Sequence, residues 1–277
     1  MHMSDCLGGY DFYDETHEQM AEEPRFVDRG KVTADTFANA GARVLEINSK
    51  TGLYPLYVTY SIFRSRCAAC PEEELDDAKL QQLWDAAVRE NVFVICKTPM
   101  AKQITQRTLA GYRDVPVNAH YFDDLINMIK NKPRQFVDRV LKPSYWKQEG
   151  VKAMKFDAVV GNPPYQLSGG SGGTNDAPIY QYFVSSAQKL QAEYTSLIIP
   201  SRWFSGGREN LLARISARYA CRWWNQEDVC FLLIRMTYSL LWKSKAGFAT
   251  TCLKTDILEN VNIRLLKLEP LQRLCGI

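Results

Sequence analysis

The sequence has little that would indicate a membrane protein, a metalloprotein or a disulfide-stabilised fold. No apolar run is long enough to cross a bilayer, and we recognise no secretory leader. Among the eight cysteines, Cys67 and Cys70 form a single Cys-x-x-Cys pair without a second pair at metal-binding spacing. The three histidines are scattered along the chain. We therefore expect a cytoplasmic protein with reduced thiols and no bound metal.

Charge is nearly balanced overall but is unevenly distributed along the chain. The formal net charge is +3, and 46% of the residues are hydrophobic, a normal fraction for a globular protein. Residues 1–207 contain 23 basic and 25 acidic side chains, whereas residues 208–277 contain 11 and 6. An imbalance this small does not by itself indicate a nucleic-acid partner.

The sequence is organised around residues 155–166, where a short apolar run leads into a proline-rich turn. Residues 156–160 are apolar and partly β-branched, which predicts a buried strand. Gly161 ends this strand. Pro163 and Pro164 then fix their own φ angles and force the residues before them into extended conformations. The turn is therefore stiff.

The side chains in this turn suit a flat, amine-bearing group. The side-chain oxygen of Asn162 and the carbonyl of Pro163 can each accept a hydrogen bond from one NH2 group. Tyr165 can lie against the ring that carries the amine. The alternative is a rigid surface turn without a ligand, since Gly-Asn-Pro-Pro is a reasonable turn in any protein.

An Asn-Pro-Pro-Tyr motif after an apolar strand resembles the catalytic motif of S-adenosylmethionine-dependent amino-group methyltransferases, chiefly the N6-adenine DNA methyltransferases. Two more blocks follow in order, Pro-Ile-Tyr at 178–180 and Ile-Ile-Pro-Ser-Arg-Trp-Phe at 198–204. Together with residues 157–166 they are similar to Eco57I-type restriction-modification methylases. The resemblance covers residues 9–208. Some RNA and protein-glutamine methyltransferases share the four-residue motif, so those activities stay open.

The resemblance implies a three-layer, Rossmann-like α/β fold with a mostly parallel sheet, whose completeness at the C-terminal strands stays open. It also implies methyl transfer from S-adenosylmethionine to N6 of adenine in double-stranded DNA, with the target base flipped out of the stack. Within the motif formed by Asn162, Pro163, Pro164 and Tyr165, Asn162 and Pro163 would accept the amine hydrogens and Tyr165 would stack on the base. No metal is required.

The first strand, turn and helix of such a fold are predicted at residues 42–54. An acid at the strand end and exposed turn amides suit the charged methionine end of S-adenosylmethionine, which makes Glu46, Asn48 and Gly52 candidate cofactor residues. The usual family pattern has an acid, a proline and two or three glycines, of which only Glu46 and Gly52 are present. A strand, loop and helix without a ligand is the alternative.

Two further cofactor candidates lie at predicted element ends. Thr33, after Gly30, is expected to open a helix whose N-terminus could hold a carboxylate, and a plain capped helix is an equal alternative. Asp123 or Asp124 follows the strand predicted within 115–122, where the fold often places an acid that accepts from the cofactor adenine. Capping of the next helix is the alternative.

The remaining segments give element predictions and one open question. Residues 131–153 interleave basic and aromatic side chains, which fits either a helix face with a linker or contact with a nucleic-acid backbone. Within the acidic residues 1–25 we expect a solvated helix, with Asp14 as a possible cap. We predict helices at 53–63, 71–89, 103–112, 125–130 and 178–191, and strands at 91–96 and 194–199.

We predict two domains, a catalytic one at 1–207 and an atypical basic tail at 208–277. The tail has few glycines, and it lacks the charged helix and further strands with which relatives continue. A frame shift near residue 208 and a truncated product are two explanations that stay open. A non-catalytic methylase fragment is therefore the alternative from another functional class.

Overall fold

The computed structural model describes residues 2–16, 18–166, 178–200 and 248–254. The strands, in chain order, are β1 (Gly9–Tyr13), β2 (Met20–Val27), β3 (Val44–Ser49), β4 (Val92–Cys96), β5 (Asn118–Tyr121), β6 (Ala158–Gly161), β7 (Tyr194–Pro200) and β8 (Phe248–Lys254). The α-helices are α1 (His2–Cys6), α2 (Lys31–Thr33), α3 (Leu53–Ala68), α4 (Asp77–Asn91), α5 (Pro99–Ala110), α6 (Leu125–Asn131), α7 (Pro133–Val140) and α8 (Tyr180–Lys189). A π-helical turn (Ala34–Ala38) and two 3-10 turns (Glu72–Glu74 and Pro143–Trp146) complete the described elements.

The main sheet has six strands in the order β5-β4-β3-β6-β7-β8. The first five are parallel, and β8 runs antiparallel to β7. Because the chain moves outward from β3 to β5 and then returns to β6 beside β3, the strand order reverses between β3 and β6. Ligands of doubly wound sheets bind at such a reversal, outside the carboxyl ends of the strands. The predicted mostly parallel α/β sheet is confirmed.

Helices cover both faces of the sheet, which makes three layers. Leu45 and Ile47 of β3 face the core formed with α6, α7 and α8, whereas Val44 faces the core formed with α3, α4 and α5. All six residues of β3 are buried, as expected for a central parallel strand covered on both sides. No helix in the described part of the chain is both long enough and apolar enough to span a membrane.

Most predicted helices and strands are confirmed, but the helix expected within residues 1–25 is wrong beyond α1. Residues 9–27 form the hairpin of β1 and β2, in which Tyr10 pairs with Phe26 and their rings lie 5.1 Å apart. Asp14 does not cap a helix. Its Oδ1 accepts hydrogen bonds from Thr16 and Glu18, which stabilises the hairpin turn. Cross-strand aromatic contacts therefore outweigh the acidic, helix-compatible composition.

Only part of the predicted tail can be compared with the structure. Strand β8 lies within residues 208–277 and pairs with β7 from Tyr194 to Pro200, so this part of the predicted tail completes one edge of the sheet. Residues 201–247 and 255–277 lie outside the described residues. The domain boundary at residue 207 stays a prediction.

Replacing Gly161 at the end of β6 should destabilise the protein. A Cβ atom there would lie 2.5 Å from the carbonyl oxygen of Ile47, so Gly161→Ala must push β6 away from β3. We expect a loss of about 1–3 kcal/mol in the free energy of unfolding, measured by urea denaturation. Gly41→Ala is the control, because its Cβ would meet only the Asn39 side chain at 3.5 Å. Equal stability of both variants would contradict the close approach of β6 and β3.

Candidate active site

The Asn-Pro-Pro-Tyr turn lies where the strand order reverses. Gly161 is the last residue of β6 and pairs with Ile47 of β3, so Asn162 emerges beside the end of β3. The Asn48 side-chain Nδ2 donates a 2.8 Å hydrogen bond to the backbone oxygen of Asn162. The turn is therefore fixed to the end of β3, which contains the predicted cofactor residues Glu46 and Asn48.

Asn162 and Tyr165 contact each other at this edge. The Tyr165 hydroxyl donates a 3.1 Å hydrogen bond to Oδ1 of Asn162, and both side chains are partly exposed. Burial raises the pKa of Tyr165, so the hydroxyl keeps its proton at neutral pH. Because the carbonyl of Tyr165 accepts a 3.0 Å bond from the backbone of Ile179, the turn is also tied to the start of α8. The sequence predicted the proximity of Asn162 and Tyr165 to a ligand, but not the bond between them.

Glu46 is a buried acid without a full set of hydrogen-bond partners. It lies in β3, 7% of its surface is exposed, and its Oε2 has no hydrogen-bond partner among the described residues. Burial raises the pKa of Glu46 to about 8, although Ser49 and Lys50 act in the opposite direction. The carboxyl group is therefore protonated at neutral pH. An unsatisfied carboxyl oxygen fits an ammonium group of a ligand.

Next to Glu46, three polar side chains from distant parts of the chain form a network that sequence analysis missed. The imidazole of His2 lies 2.7 Å from the Tyr54 hydroxyl through Nδ1 and 2.7 Å from the Ser196 hydroxyl through Nε2. Burial raises the pKa of Tyr54, and the charges of Glu46 and Tyr165 raise it further. No local pattern connects residues so far apart in sequence, so only the tertiary structure could reveal this network.

Asn48, near the end of β3, and Gly52, in the loop after it, both have a left-handed backbone conformation. Asn48 has a left-handed backbone with φ of 74°, and its side chain is used for the bond to Asn162. Gly52 also has a positive φ, 77°, and a Cβ there would lie 3.1 Å from Cα of Thr105. Glycine is therefore required at position 52 by backbone conformation and packing. The predicted cofactor contacts of Asn48 and Gly52 stay predictions.

Thr33 does not open a helix as predicted, because α2 already begins at Lys31 after Gly30, whose φ is 64°. The buried Thr33 hydroxyl donates to the carbonyl of Leu7 and accepts from the backbone of Arg29, both at 2.8 Å. These bonds join α2 to the loop after α1 and use the donor that was expected to face a ligand. The predicted contact of Thr33 with the cofactor stays a prediction. The two bonds of its hydroxyl do not favour it.

Asp123 is exposed just after β5, two strands away from β3. The neighbouring Asp124 caps α6 by accepting a 3.0 Å bond from the backbone of Asn127, so the capping alternative is confirmed for Asp124. The contact of Asp123 with cofactor adenine stays a prediction. Within the described residues, no group of three or more histidine, cysteine or acidic side chains could hold a metal ion.

Strand order and the position of the turn define the chain as a doubly wound, Rossmann-like α/β protein. Residues 90–220 match the family model described as "Eco57I restriction-modification methylase". All three sequence blocks, at 157–166, 178–180 and 198–204, lie within this match, and the predicted resemblance is thereby confirmed for this part of the chain. The match also continues past residue 207 into the predicted tail.

A curated relative is an uncharacterised adenine-specific methylase of Mycoplasma pneumoniae, 52% identical over 52 residues. That stretch covers 18% of this chain and 12% of the relative, so the chain spans only a small part of the relative's length.

Two solved structures are weakly similar. One is assigned as the modification subunit of a type I restriction enzyme from Vibrio vulnificus, with 13% identity, a TM-score of 0.37, and coverage of 65% of this chain and 34% of that one. The other is a DrdV–DNA complex, with 15% identity, a TM-score of 0.36, and coverage of 60% and 18%. These TM-scores indicate only a weak similarity of fold.

Replacing Glu46 by glutamine should change how stability depends on pH. Between about pH 4.5 and about pH 8 the unfolded chain has released the Glu46 proton and the folded chain has not, so stability falls as pH rises. Glu46→Gln removes this contribution. The free energy of unfolding of the variant should therefore rise relative to that of wild type, by up to about 1.4 kcal/mol per pH unit across that range.

Urea denaturation at a series of pH values measures this difference. Measurements below pH 4.5 provide the baseline, because there Glu46 is protonated in both the folded and the unfolded chain. Parallel pH profiles of the two proteins would show that Glu46 is not protonated in the folded state.

Proposed function

We propose that this chain is the catalytic part of an S-adenosylmethionine-dependent methyltransferase that modifies N6 of adenine in double-stranded DNA, within a restriction-modification system. One observation carries the proposal. The Asn-Pro-Pro-Tyr turn lies at the reversal of strand order, inside the segment that matches the Eco57I methylase family. The relative from Mycoplasma pneumoniae, whose name states adenine specificity, supports the choice of base.

Asn162 and Pro163 bind the target amine in this proposal. The Asn162 Oδ1 has two lone pairs and accepts one bond from Tyr165, which leaves one site for an N–H of the base. The Pro163 carbonyl accepts the second amine hydrogen. With both hydrogens held, the nitrogen lone pair is kept off the ring and is aimed at the methyl donor. This positioning, with charge stabilisation by fixed dipoles, supplies the catalysis without a covalent enzyme intermediate.

S-adenosylmethionine supplies an electrophilic methyl group on a sulfonium. Transfer would form a nitrogen–carbon bond, break the sulfur–carbon bond of the sulfonium and release one proton from the amine to solvent. Glu46 fits the ammonium of this cofactor, because its buried Oε2 has no hydrogen-bond partner within the described residues. Binding of a cation there would favour the ionised carboxylate and release the Glu46 proton. The bond from Asn48 to Asn162 holds the turn against the end of β3, next to the proposed cofactor residue Glu46.

Replacing Asn162 by alanine should abolish methyl transfer while cofactor binding persists. The substitution removes one of the two oxygens that orient the amine, so we expect activity to fall by at least about 100-fold. Transfer of a radiolabelled methyl group to DNA measures activity, and calorimetric titration with S-adenosylmethionine measures binding. Asn131→Ala is the control, because Asn131 is exposed and its side chain donates a hydrogen bond to Asn127 in its own helix. Full transfer by Asn162→Ala would contradict the assignment.

The same assay distinguishes the substrate classes that share the motif. DNA, RNA and protein are offered separately to the wild-type chain, and we expect label in DNA. Label in RNA or on a glutamine side chain would keep the site but change its substrate. Absence of both transfer and cofactor binding would identify a non-catalytic fragment.

Replacing Tyr165 by phenylalanine separates the two contributions of this side chain. The ring that can stack on the base is kept, while the hydrogen bond to Asn162 is lost. A hydrogen bond of about 0.5–1.5 kcal/mol corresponds to a roughly 2- to 12-fold fall in kcat, and KM for DNA should change little. Tyr165→Ala should in addition raise KM, because stacking is lost. Tyr112→Phe is the control, since Tyr112 is 92% exposed. An unchanged kcat in Tyr165→Phe would show that the hydroxyl does not orient Asn162.

A further inference from the structure

Four basic side chains lie on or next to β5, the outer strand of the sheet. They come from separate elements and form what we name the β5 basic cluster: Lys102 of α5, His120 of β5, Arg139 of α7, and Lys147 after the last 3-10 turn. Arg139 and Lys147 are exposed, and Lys102 and His120 are partly exposed. The basic and aromatic residues at 131–153 could contact a nucleic acid, as the sequence alone suggested. In the structure, Lys102 and His120 also belong to the basic surface next to that segment.

Aromatic rings hold the cluster in place. The ring of His120 lies 4.3 Å from the ring of Tyr145. The guanidinium of Arg139 lies 5.1 Å from the centre of the Tyr145 ring and 5.3 Å from that of Phe122. Such contacts restrict a long side chain before any ligand arrives. Arg139 is therefore oriented by its neighbours, unlike a freely solvated surface arginine.

Ion pairing does not neutralise these charges in the described part of the chain. Among the described residues, Lys102, Arg139 and Lys147 form no ion pair, whereas cations such as Lys31 and Arg113 are paired with carboxylates. Burial lowers the pKa of His120 to about 4, and the charges of Lys102, Lys147 and Arg139 contribute to this shift. Cations held together without an ion-pair partner repel one another, and an anionic ligand would reduce that repulsion.

The register of the sheet puts the cluster level with the catalytic turn. His120 pairs with Ile95, Ile95 pairs with Ile47, and Ile47 pairs with Gly161, the residue before Asn162. Three strand spacings separate the ends of this row, a distance of about 14 Å. One strand of B-form DNA places about four phosphates over that length. The cluster is thus within reach of the backbone near a base bound at the turn.

We propose that the β5 basic cluster binds the phosphodiester backbone of the DNA whose adenine enters the Asn-Pro-Pro-Tyr site. Lys102, Arg139 and Lys147 contact phosphate oxygens, and the neutral His120 ring donates one hydrogen bond. The inference rests on the proposed function for its choice of DNA as the polyanion. It assigns to this edge a sequence-independent anchoring role, since phosphate contacts position a duplex and do not read bases.

The salt dependence of DNA binding tests the proposal. The double variant Arg139→Gln/Lys147→Gln removes two charges from the cluster. The control, Lys152→Gln/Lys155→Gln, removes two exposed charges just before the amino end of β6, at the opposite end of the parallel strands from the turn. Binding of a fluorescent duplex is followed by anisotropy over a series of salt concentrations. We expect the slope of log affinity against log salt to fall by about 2 in the cluster variant, equally for different duplex sequences, and to stay unchanged in the control.

Two additional variants keep the test valid if the double variant folds poorly. Lys147→Gln alone should reduce the slope by about 1, and Arg139→Lys should keep it because the charge is retained. Equal slopes for the cluster and control variants, failure of wild type to bind DNA at low salt, or binding of RNA alone would overturn the proposal. So would displacement of the duplex by inorganic phosphate at constant ionic strength, because a free-phosphate site would then be the better explanation.

Failure of this inference is distinguishable from failure of the proposed function. Loss of DNA anchoring raises KM for DNA, whereas Asn162→Ala removes turnover and leaves all charges of the cluster in place. A chain that binds DNA through the cluster but transfers no methyl group would retain the anchoring surface and disprove the proposed enzyme.

Discussion

The arrangement of the site depends on the close approach of two strand ends. Gly161 lets the end of β6 come so near to β3 that a single Cβ atom would collide with the carbonyl oxygen of Ile47. Because the strands are parallel and adjacent, the loops that follow them leave the sheet side by side. The Asn48 side chain then joins the end of β3 to the turn after β6 by its bond to Asn162. The proposed catalytic turn and the proposed cofactor residues of β3 stay adjacent only if this approach is maintained.

Around that approach, the protein keeps polar groups in unfavourable surroundings. Glu46 is protonated by burial and has an oxygen without a hydrogen-bond partner among the described residues. At the outer edge, the β5 basic cluster keeps cations together without an ion-pair partner in the described part of the chain. Both arrangements cost stability in the free protein. In the proposed function each cost is offset by a ligand of opposite charge: an ammonium group binds at Glu46, and phosphates bind at the cluster.

Much of the fold could be predicted because its signals are local. Residues 91–96 and 194–199 are short apolar runs, and they form strands β4 and β7 nearly as expected. The hairpin of residues 9–27 could not be predicted in the same way. Its stability comes from pairs such as Tyr10 with Phe26, which are distant in sequence and have no helical or strand periodicity strong enough to reveal them. Thr33 failed as a helix start because the preceding Gly30 adopts a positive φ, which composition does not specify.

The sequence by itself determined the stiff turn at residues 162–165, since proline geometry and a preceding apolar strand act over a few bonds. It also determined which residues at the end of the first parallel strand are acidic or amide-bearing. Only the tertiary structure decided what these groups contact: Asn48 with Asn162, Tyr165 with Asn162, and His2 with Tyr54 and Ser196. The physical reason is that hydrogen bonds and charge interactions depend on distances of a few ångströms. Such distances between remote segments are set by strand order and register, which a single sequence does not encode locally.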